Sequence, residues 1–472
     1  MDKGKYLLKN MGFLTLSIFG IKGISFFLVP LYTSVLTTSE YGIYDVFNTT
    51  VSLLIPFLTL NIKESTIRFA LSEDYSKKEV FSISLKYSMY SVFYFLTIIL
   101  INHFFKISEV LENYKYYFLL MFISYVIQGI VTNFVRGLDR LKMIAISTVV
   151  CSITIIILNI LFLLPFKMGL RGYFLANVLG PIAQVIYLVF SCHLLKYIGI
   201  KKLSNTLHKE MIQYSTPMIA NSTAWWINSV SDRYIIILMR GTSENGIYSV
   251  ASKIPTIVDM FQSIFSQAWT LSAVKEFDSR DSSGFFSRMY GLYNMCMTVV
   301  SSGVIVVSRL LAKFLYANDF YAAWRYVPFL IIAVLFGALA GYFGAIFSAV
   351  KDSKAFAYST LAGATVNVVL NIVLVYYHGA LGAGISTAIS YAIIYCLRLH
   401  KIREYIKLRI RLCRDWCGYI ILGLQTILLL QYTKETIQLY LIQVLLFMLV
   451  VSLYKDQYKF VIEKIKQMSK AH

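Results

Sequence analysis

The chain has 472 residues, of which 58% are hydrophobic, 15% aromatic and only 14% charged. A soluble globular domain carries about 25% charged residues, so this composition excludes a water-soluble protein built on one core and requires helices embedded in lipid. The net charge of +20 reads first as retention of Lys and Arg in cytoplasmic loops and second as attraction for an anionic substrate. No soluble basic domain exists to bind nucleic acid.

In chain order, Met1 to Asn10 is polar and basic, and the apolar run after it lacks a small-residue cleavage site. That run therefore reads as a retained span and not a signal peptide. Apolar runs of roughly 20 residues follow, separated by short charged loops, as helices crossing a bilayer require. About 14 spans are expected, near 11–35, 42–62, 83–105, 115–136, 143–166, 170–195, 214–239, 246–270, 288–312, 324–350, 355–377, 380–398, 417–432 and 436–454. Lys and Arg concentrate in alternate loops, which places both termini in the cytoplasm. The longest inner loop, Leu271 to Ser287, is far below the roughly 50 residues of a catalytic domain. No Gly-rich phosphate loop precedes a Lys-Ser/Thr pair, so no ATPase engine is present. An enzyme is not expected.

One stretch occurs twice. Thr38-Ser39-Glu40-Tyr41-Gly42-Ile43-Tyr44-Asp45-Val46 recurs as Thr242-Ser243-Glu244-Asn245-Gly246-Ile247-Tyr248-Ser249-Val250. Further on, Lys142, Ser147-Thr148, Leu158-Asn159-Ile160, Gly172 and Ala176 recur as Lys354, Ser359-Thr360, Leu370-Asn371-Ile372, Gly384 and Ala388. An even number of spans separates the copies, so both halves have the same orientation. This predicts two six-helix lobes related by a pseudo-two-fold axis along the membrane normal, with a cleft between them. The expected division is an N-lobe over 1–200, a C-lobe over 201–402, and a basic interfacial segment, two further spans and a cytoplasmic tail over 403–472. The stretch Arg398 to Arg414 reads either as an interfacial segment on anionic headgroups or as a plain topogenic loop. Thr37 to Glu40 fits a capping box, and both Glu40 and Glu244 read as structural residues at helix starts.

Polar residues inside the spans carry the functional signal. Asp45, Thr49, Ser52, Pro56, Thr59 and Lys63 share one helix face. Ser249, Ser252, Thr256, Asp259, Ser263 and Ser266 do the same in the second copy, and Asn221, Trp225, Asn228 and Asp232 form a third stripe. Such a stripe either hydrogen-bonds between helices or lines a wet cavity. A charge at the membrane centre costs about 2.5–3.5 kcal/mol on insertion scales, so it must meet a partner or water. Lys22, Arg68, Arg233, Lys253 and Arg325 are the candidate cations of a substrate cleft, where Lys and Arg would donate charge-assisted hydrogen bonds to phosphate. Internal ion pairs are the alternative. Asp45, Asp232 and Asp259 are candidates for ion coupling. Pro30, Pro56, Pro217 and Pro255 mark hinges or local bends. The six cysteines lie mostly within spans or on the inner side, against a disulfide framework. No metal site is expected, because Cys413-x-x-x-Cys417 has no further ligands nearby.

Glu40-Tyr41-Gly42-Ile43-Tyr44, Ile67-Arg68-Phe69, Tyr214-Ser215-Thr216-Pro217, Asp232-Arg233-Tyr234-Ile235-Ile236 and Gly246-Ile247-Tyr248-Ser249-Val250-Ala251-Ser252-Lys253-Ile254 together resemble the polysaccharide-transport family of the MOP (multidrug/oligosaccharidyl-lipid/polysaccharide) exporter superfamily. The chain departs from that pattern at Lys63-Glu64 and in lacking a proline soon after Trp269. The resemblance implies a flippase for oligosaccharide repeat units of the O-antigen or capsule type on undecaprenyl pyrophosphate. It implies residence in the bacterial inner membrane, no cofactor beyond coupling to H+ or Na+, and work beside a polysaccharide polymerase and a chain-length regulator. The competing reading is a cation-coupled multidrug antiporter of the same superfamily.

Overall fold

The computed structural model describes residues 23, 26–199, 204–350, 352–432 and 435–470. Every regular element among them is helical. The chain forms two compact units, Met1–Tyr234 and Ile235–His472.

In the first unit, α1 (Val29–Val35) leads into α2 (Thr38–Leu58), α3 (Ile62–Leu71), α4 (Lys77–Phe105), α5 (Glu109–Gly137), α6 (Leu141–Leu163), α7 (Gly169–Ser191), α8 (Asn205–Ser215) and the start of α9 (Pro217–Arg240). The expected capping box starts α2. Thr37 Oγ1 accepts from the Glu40 amide at 3.2 Å, and Glu40 Oε2 accepts from the Thr37 amide at 2.9 Å, satisfying two otherwise orphaned N–H groups. Pro56 lies in the last turn of α2, and Leu60 and Asn61 then take positive φ, so α3 departs at 61° from α2. Pro30 falls in the first turn of α1, where its missing N–H costs nothing. The α3–α5 contact depends on Gly137, where an added Cβ would lie 2.4 Å from the Ala70 Cβ.

The second unit holds the rest of α9, then α10 (Thr242–Ala251), α11 (Thr256–Lys275), α12 (Phe285–Leu315), α13 (Val327–Ala349), α14 (Ser353–His378), α15 (Ala380–Ile402), α16 (Leu412–Gln431), α17 (Ile437–Leu453) and α18 (Lys455–Lys470). Its centre is α13, with 72% of its apolar window buried, whereas α4 in the first unit has only 28% buried and presents Phe93, Leu100 and Phe104 outward. Such an outward apolar face is stable only against lipid.

Ser147 and Ser359, matching positions of the duplicated stretch, each accept a hydrogen bond from the helix that follows. In the first unit Gln184 of α7 donates to Ser147 Oγ of α6 at 3.2 Å. In the second, Arg398 of α15 donates to Ser359 Oγ at 3.0 Å, Thr360 Oγ1 at 2.8 Å and the Ala340 carbonyl at 2.8 Å. Arg398 is 5% exposed and its guanidinium lies 4.2 Å from the Phe356 ring centroid. It joins α13, α14 and α15, and so fits neither reading of the stretch from Arg398 to Arg414, as a headgroup-bound segment or as a plain loop.

Nine of the described helices are long and apolar enough to cross a membrane, or ten if the bent pair α2–α3 is one span. The expected number was about 14. The remaining expected spans fall short for local reasons. The first lies largely outside the described residues. In α9 the polar and charged residues of the third stripe lower the apolarity. The eighth is broken into α10 and α11 at Ser252–Pro255, and α17 has 17 residues. Pro255 lacks the N–H that would continue the ladder.

Candidate functional site

The polar stripe of α2 forms a seam with α9 inside the first unit. Its hydroxyls are first satisfied locally: Thr49 Oγ1 donates to the Asp45 carbonyl at 2.9 Å, Ser52 Oγ to the Thr49 carbonyl at 2.7 Å, and Thr59 Oγ1 to the Ile55 carbonyl at 2.6 Å. Back-bonding of this kind removes the cost of a hydroxyl in an apolar setting. Side chains of α9 then reach across. Trp226 Nε1 donates to the Thr49 carbonyl at 3.0 Å, and the Thr50 and Tyr234 hydroxyls lie 2.5 Å apart. Asn61, at the bend, donates to Ser222 Oγ at 3.1 Å.

The charged members meet at the same seam. Arg233 Nε lies 3.4 Å from Asp45 Oδ2, with side chains 20% and 9% exposed. Asp232 is buried, and its Oδ1 accepts from the Arg233 amide at 3.0 Å. Asp45 and Arg233, read from sequence as an ion-coupling acid and a cleft cation, are therefore ion-pair partners. Arg68 sits exposed in the last turn of α3, past the bend, where its charge suits the helix C-terminus. The Lys63 stem lies against Gly129 of α5. Lys22 lies outside the described residues, as do the side chains of Asn221, Trp225 and Asn228.

In the second unit Lys253 is half-buried in the break between α10 and α11, its carbonyl accepting from Thr256 Oγ1 at 2.5 Å. Asp259 is in the first turn of α11, where its charge offsets the helix dipole. Arg325 closes the short 3-10 helix Asn318–Arg325 and lines a cavity of about 700 Å³ that includes neither Lys253 nor Asp259. Beside it are residues that the sequence reading did not single out. The Arg309 guanidinium stacks 3.9 Å from the Trp324 ring centroid, Lys313 Nζ pairs with Glu435 Oε2 at 2.6 Å, and Tyr321 donates to Glu435 Oε1 at 3.0 Å. Cations beside aromatic faces suit a sugar carrying a phosphate. The available signal was a pair of basic residues, Arg309 and Lys313, at i, i+4 at the end of an apolar span.

The motif copies have a common structural use. Tyr44 packs edge-on to Tyr173 of α7 at 4.5 Å, and Tyr41 stacks on Tyr32 at 4.8 Å. In the second unit Glu244 Oε1 accepts from the Ala380 amide at 2.6 Å and so caps α15. Glu40 sits correspondingly near the start of α7, its Oε1 3.7 Å from where a Cβ on Gly169 would lie. Both glutamates are structural, as expected; Glu244 acts on another helix and not on its own.

This architecture defines a class. The chain aligns over 96% of its length with 99% of the lipid II flippase MurJ in its inward closed conformation, with a TM-score of 0.71 and 15% identity. It aligns over 88% of its length with 96% of an inward-facing multidrug resistance MATE family transporter of the MOP superfamily, with a TM-score of 0.65 and 13% identity. The fold is thus that of an all-helical integral membrane protein of the MurJ and MATE type.

Residues 7–271 match the family described as polysaccharide biosynthesis protein, and the chain belongs to that family. Over 232 residues, 46% of the chain, it is 22% identical to the probable low-salt glycan biosynthesis flippase Agl15 of Haloferax volcanii. That match spans 49% of the relative's length. These relatives are flippases and transporters, not enzymes.

Proposed function

We propose that the chain is a flippase that moves undecaprenyl-pyrophosphate-linked oligosaccharide repeat units, of the O-antigen or capsule type, from the inner to the outer leaflet of the bacterial cytoplasmic membrane. The observation that carries this reading is membership of the polysaccharide biosynthesis family in a chain with the MurJ fold. The charge pattern supports it. Arg309 and Arg325 line one cavity with Trp324 and Tyr321, beside Asp319 and the paired Lys313 and Glu435, and guanidinium groups beside aromatic rings are suited to sugar and phosphate together. In this reading the polar head crosses by alternating access while the polyprenyl tail stays in lipid. With the cell interior negative, outward movement of each elementary negative charge across 100 mV is favoured by about 2.3 kcal/mol. Asp232 and Asp259 are the acids proposed for coupling to H+ or Na+, together with Asp45 when its pair with Arg233 opens. Both termini are cytoplasmic, and a polymerase and a chain-length regulator act on the delivered unit.

Deletion of the gene should leave repeat units on the inner leaflet and abolish surface polysaccharide. Persistence of surface glycan in a strain without a paralogue refutes the proposal. The likeness to MATE transporters supports a cation-coupled drug antiporter as the second reading. That reading predicts drug hypersensitivity of the deletion strain with surface glycan unchanged.

A further inference from the structure

At one end of the second unit, a cavity of about 490 Å³ lies where the starts of α12 and α18 meet the 403–411 connection and the start of α16. Four arginines line it: Arg288, Arg409, Arg411 and Arg414. Two are already paired. Arg411 Nη1 holds Asp456 Oδ2 at 2.5 Å, and Arg414 Nη2 holds the buried Asp415 at 2.7 Å. Arg414 still keeps Nη1 buried without a hydrogen-bond partner among the described residues.

The other two face no carboxylate. Arg288 Nη2 donates to the Ser283 carbonyl at 2.5 Å, and the Arg409 backbone amide donates to Ser287 Oγ at 2.8 Å. No Asp or Glu lies within ion-pair distance of either guanidinium among the described residues. The remaining acid of the lining, Asp281, is committed elsewhere. Its carboxylate caps α12, accepting from the Phe286 and Ser287 amides, each at 3.0 Å, and from Ser287 Oγ at 2.5 Å. The cavity is therefore cationic, with guanidinium donors still available.

Leu292, Ile410 and Phe460 supply an apolar wall beside the arginines. In the first turns of α18, Lys455 and Lys459 are exposed on one face and Tyr458 is half-buried on another. Such a division suits a helix to the plane of the headgroups. Free phosphate would use the arginines and leave the apolar wall idle, whereas a phospholipid uses both.

We infer that this cavity binds a phosphate group, carried by the headgroup of an anionic phospholipid of the adjoining leaflet, with Arg288 and Arg409 as its principal ligands. Basic pockets between helices at the cytoplasmic side are suited to such headgroups, and guanidinium groups match phosphate oxygens in pairs. The site lies apart from the Arg325 cavity and does not depend on which glycan is carried.

The test uses the full-length protein, delipidated in neutral detergent and titrated with phosphatidylglycerol, phosphatidylcholine or inorganic phosphate. Bound lipid is counted by native mass spectrometry and stabilisation is read by thermal unfolding. Phosphatidylglycerol should be retained and should stabilise, and phosphatidylcholine should do neither. The R288A/R409A variant should bind phosphatidylglycerol about tenfold more weakly or worse, the loss of about 1.4 kcal/mol, while R288K/R409K keeps most of the affinity. Should R288A/R409A fail to fold, R409A alone serves, since its side chain is exposed. Equal retention of phosphatidylglycerol by R288A/R409A and the parent protein, or equal retention of the two lipids, overturns the inference. Stabilisation by inorganic phosphate at the same phosphate concentration overturns the assignment to a lipid and leaves a soluble phosphate as the source.

Discussion

The Asp45–Arg233 pair can be tested by a double-mutant cycle. Removing one charge by D45N or R233Q leaves the other at a seam where the Asp45 side chain is 9% exposed. Coulomb's law at the observed 3.4 Å, with an effective dielectric constant of about 20, gives an attraction of about 5 kcal/mol. Two features reduce the measurable value: the Arg233 side chain is 20% exposed, and Nε approaches at the long end of a charged contact. Each single variant should therefore lose about 2–4 kcal/mol, below or within the range for breaking a buried pair. The double variant D45N/R233Q has no stranded charge and should recover at least about 1.5 kcal/mol of the summed loss. Thermal unfolding in lipid nanodiscs measures all four proteins. If the double variant loses the sum of the single losses to within about 0.5 kcal/mol, the two groups are not coupled and the pairing is refuted.

Three further outcomes follow from the same geometry. Gly379 has φ +60°, and a Cβ there would lie 2.2 Å from Glu244 Oε1, so G379A should displace the cap of α15 and destabilise by about 2–4 kcal/mol, combining left-handed strain with a lost charged hydrogen bond. E244A, which keeps the glycine, should lose about 1–2 kcal/mol, and unfolding temperatures compare the two. R398L removes a buried guanidinium with three acceptors and should destabilise by about 3 kcal/mol or more, from the groups left unpaired; an R398L protein as stable as its parent would show that Arg398 does not join the three helices. The third outcome is a pH dependence. The hydroxyl of Tyr405 donates to Asp352 at 2.6 Å and, with the Ala355 amide, holds that carboxyl below the usual carboxylate range. Because the folded state lowers this acid, its contribution is present above the ordinary aspartate range and lost as pH falls through the lowered value. Y405F should therefore lose stability at neutral pH and little at strongly acid pH, in denaturation curves taken at both.

The order of spans, the duplicated motif and the α2 capping box are local properties. They follow from the period of apolar residues and from side chains three positions apart, and the helices obey them. The identity of the intramembrane charges was also legible, because a charged residue within an apolar run stands out by its cost. Their partners were not. Asp45 meets Arg233 only because α9 lies along α2, and Arg398 reaches Ser359 and Thr360 only because α15 packs on α14. Glu244 looks like a first-turn acid of its own helix but caps α15, a choice made by the close approach at Gly379. The arginines of the two cavities come from separate stretches of chain, and helical periodicity carries no record of which helix ends converge. Which segments enter the membrane, and which residues are too polar to lie there unaccompanied, is written in the order of residues. What accompanies them is settled by packing, because ion pairing and cavity formation depend on distances between helices that no single helix encodes.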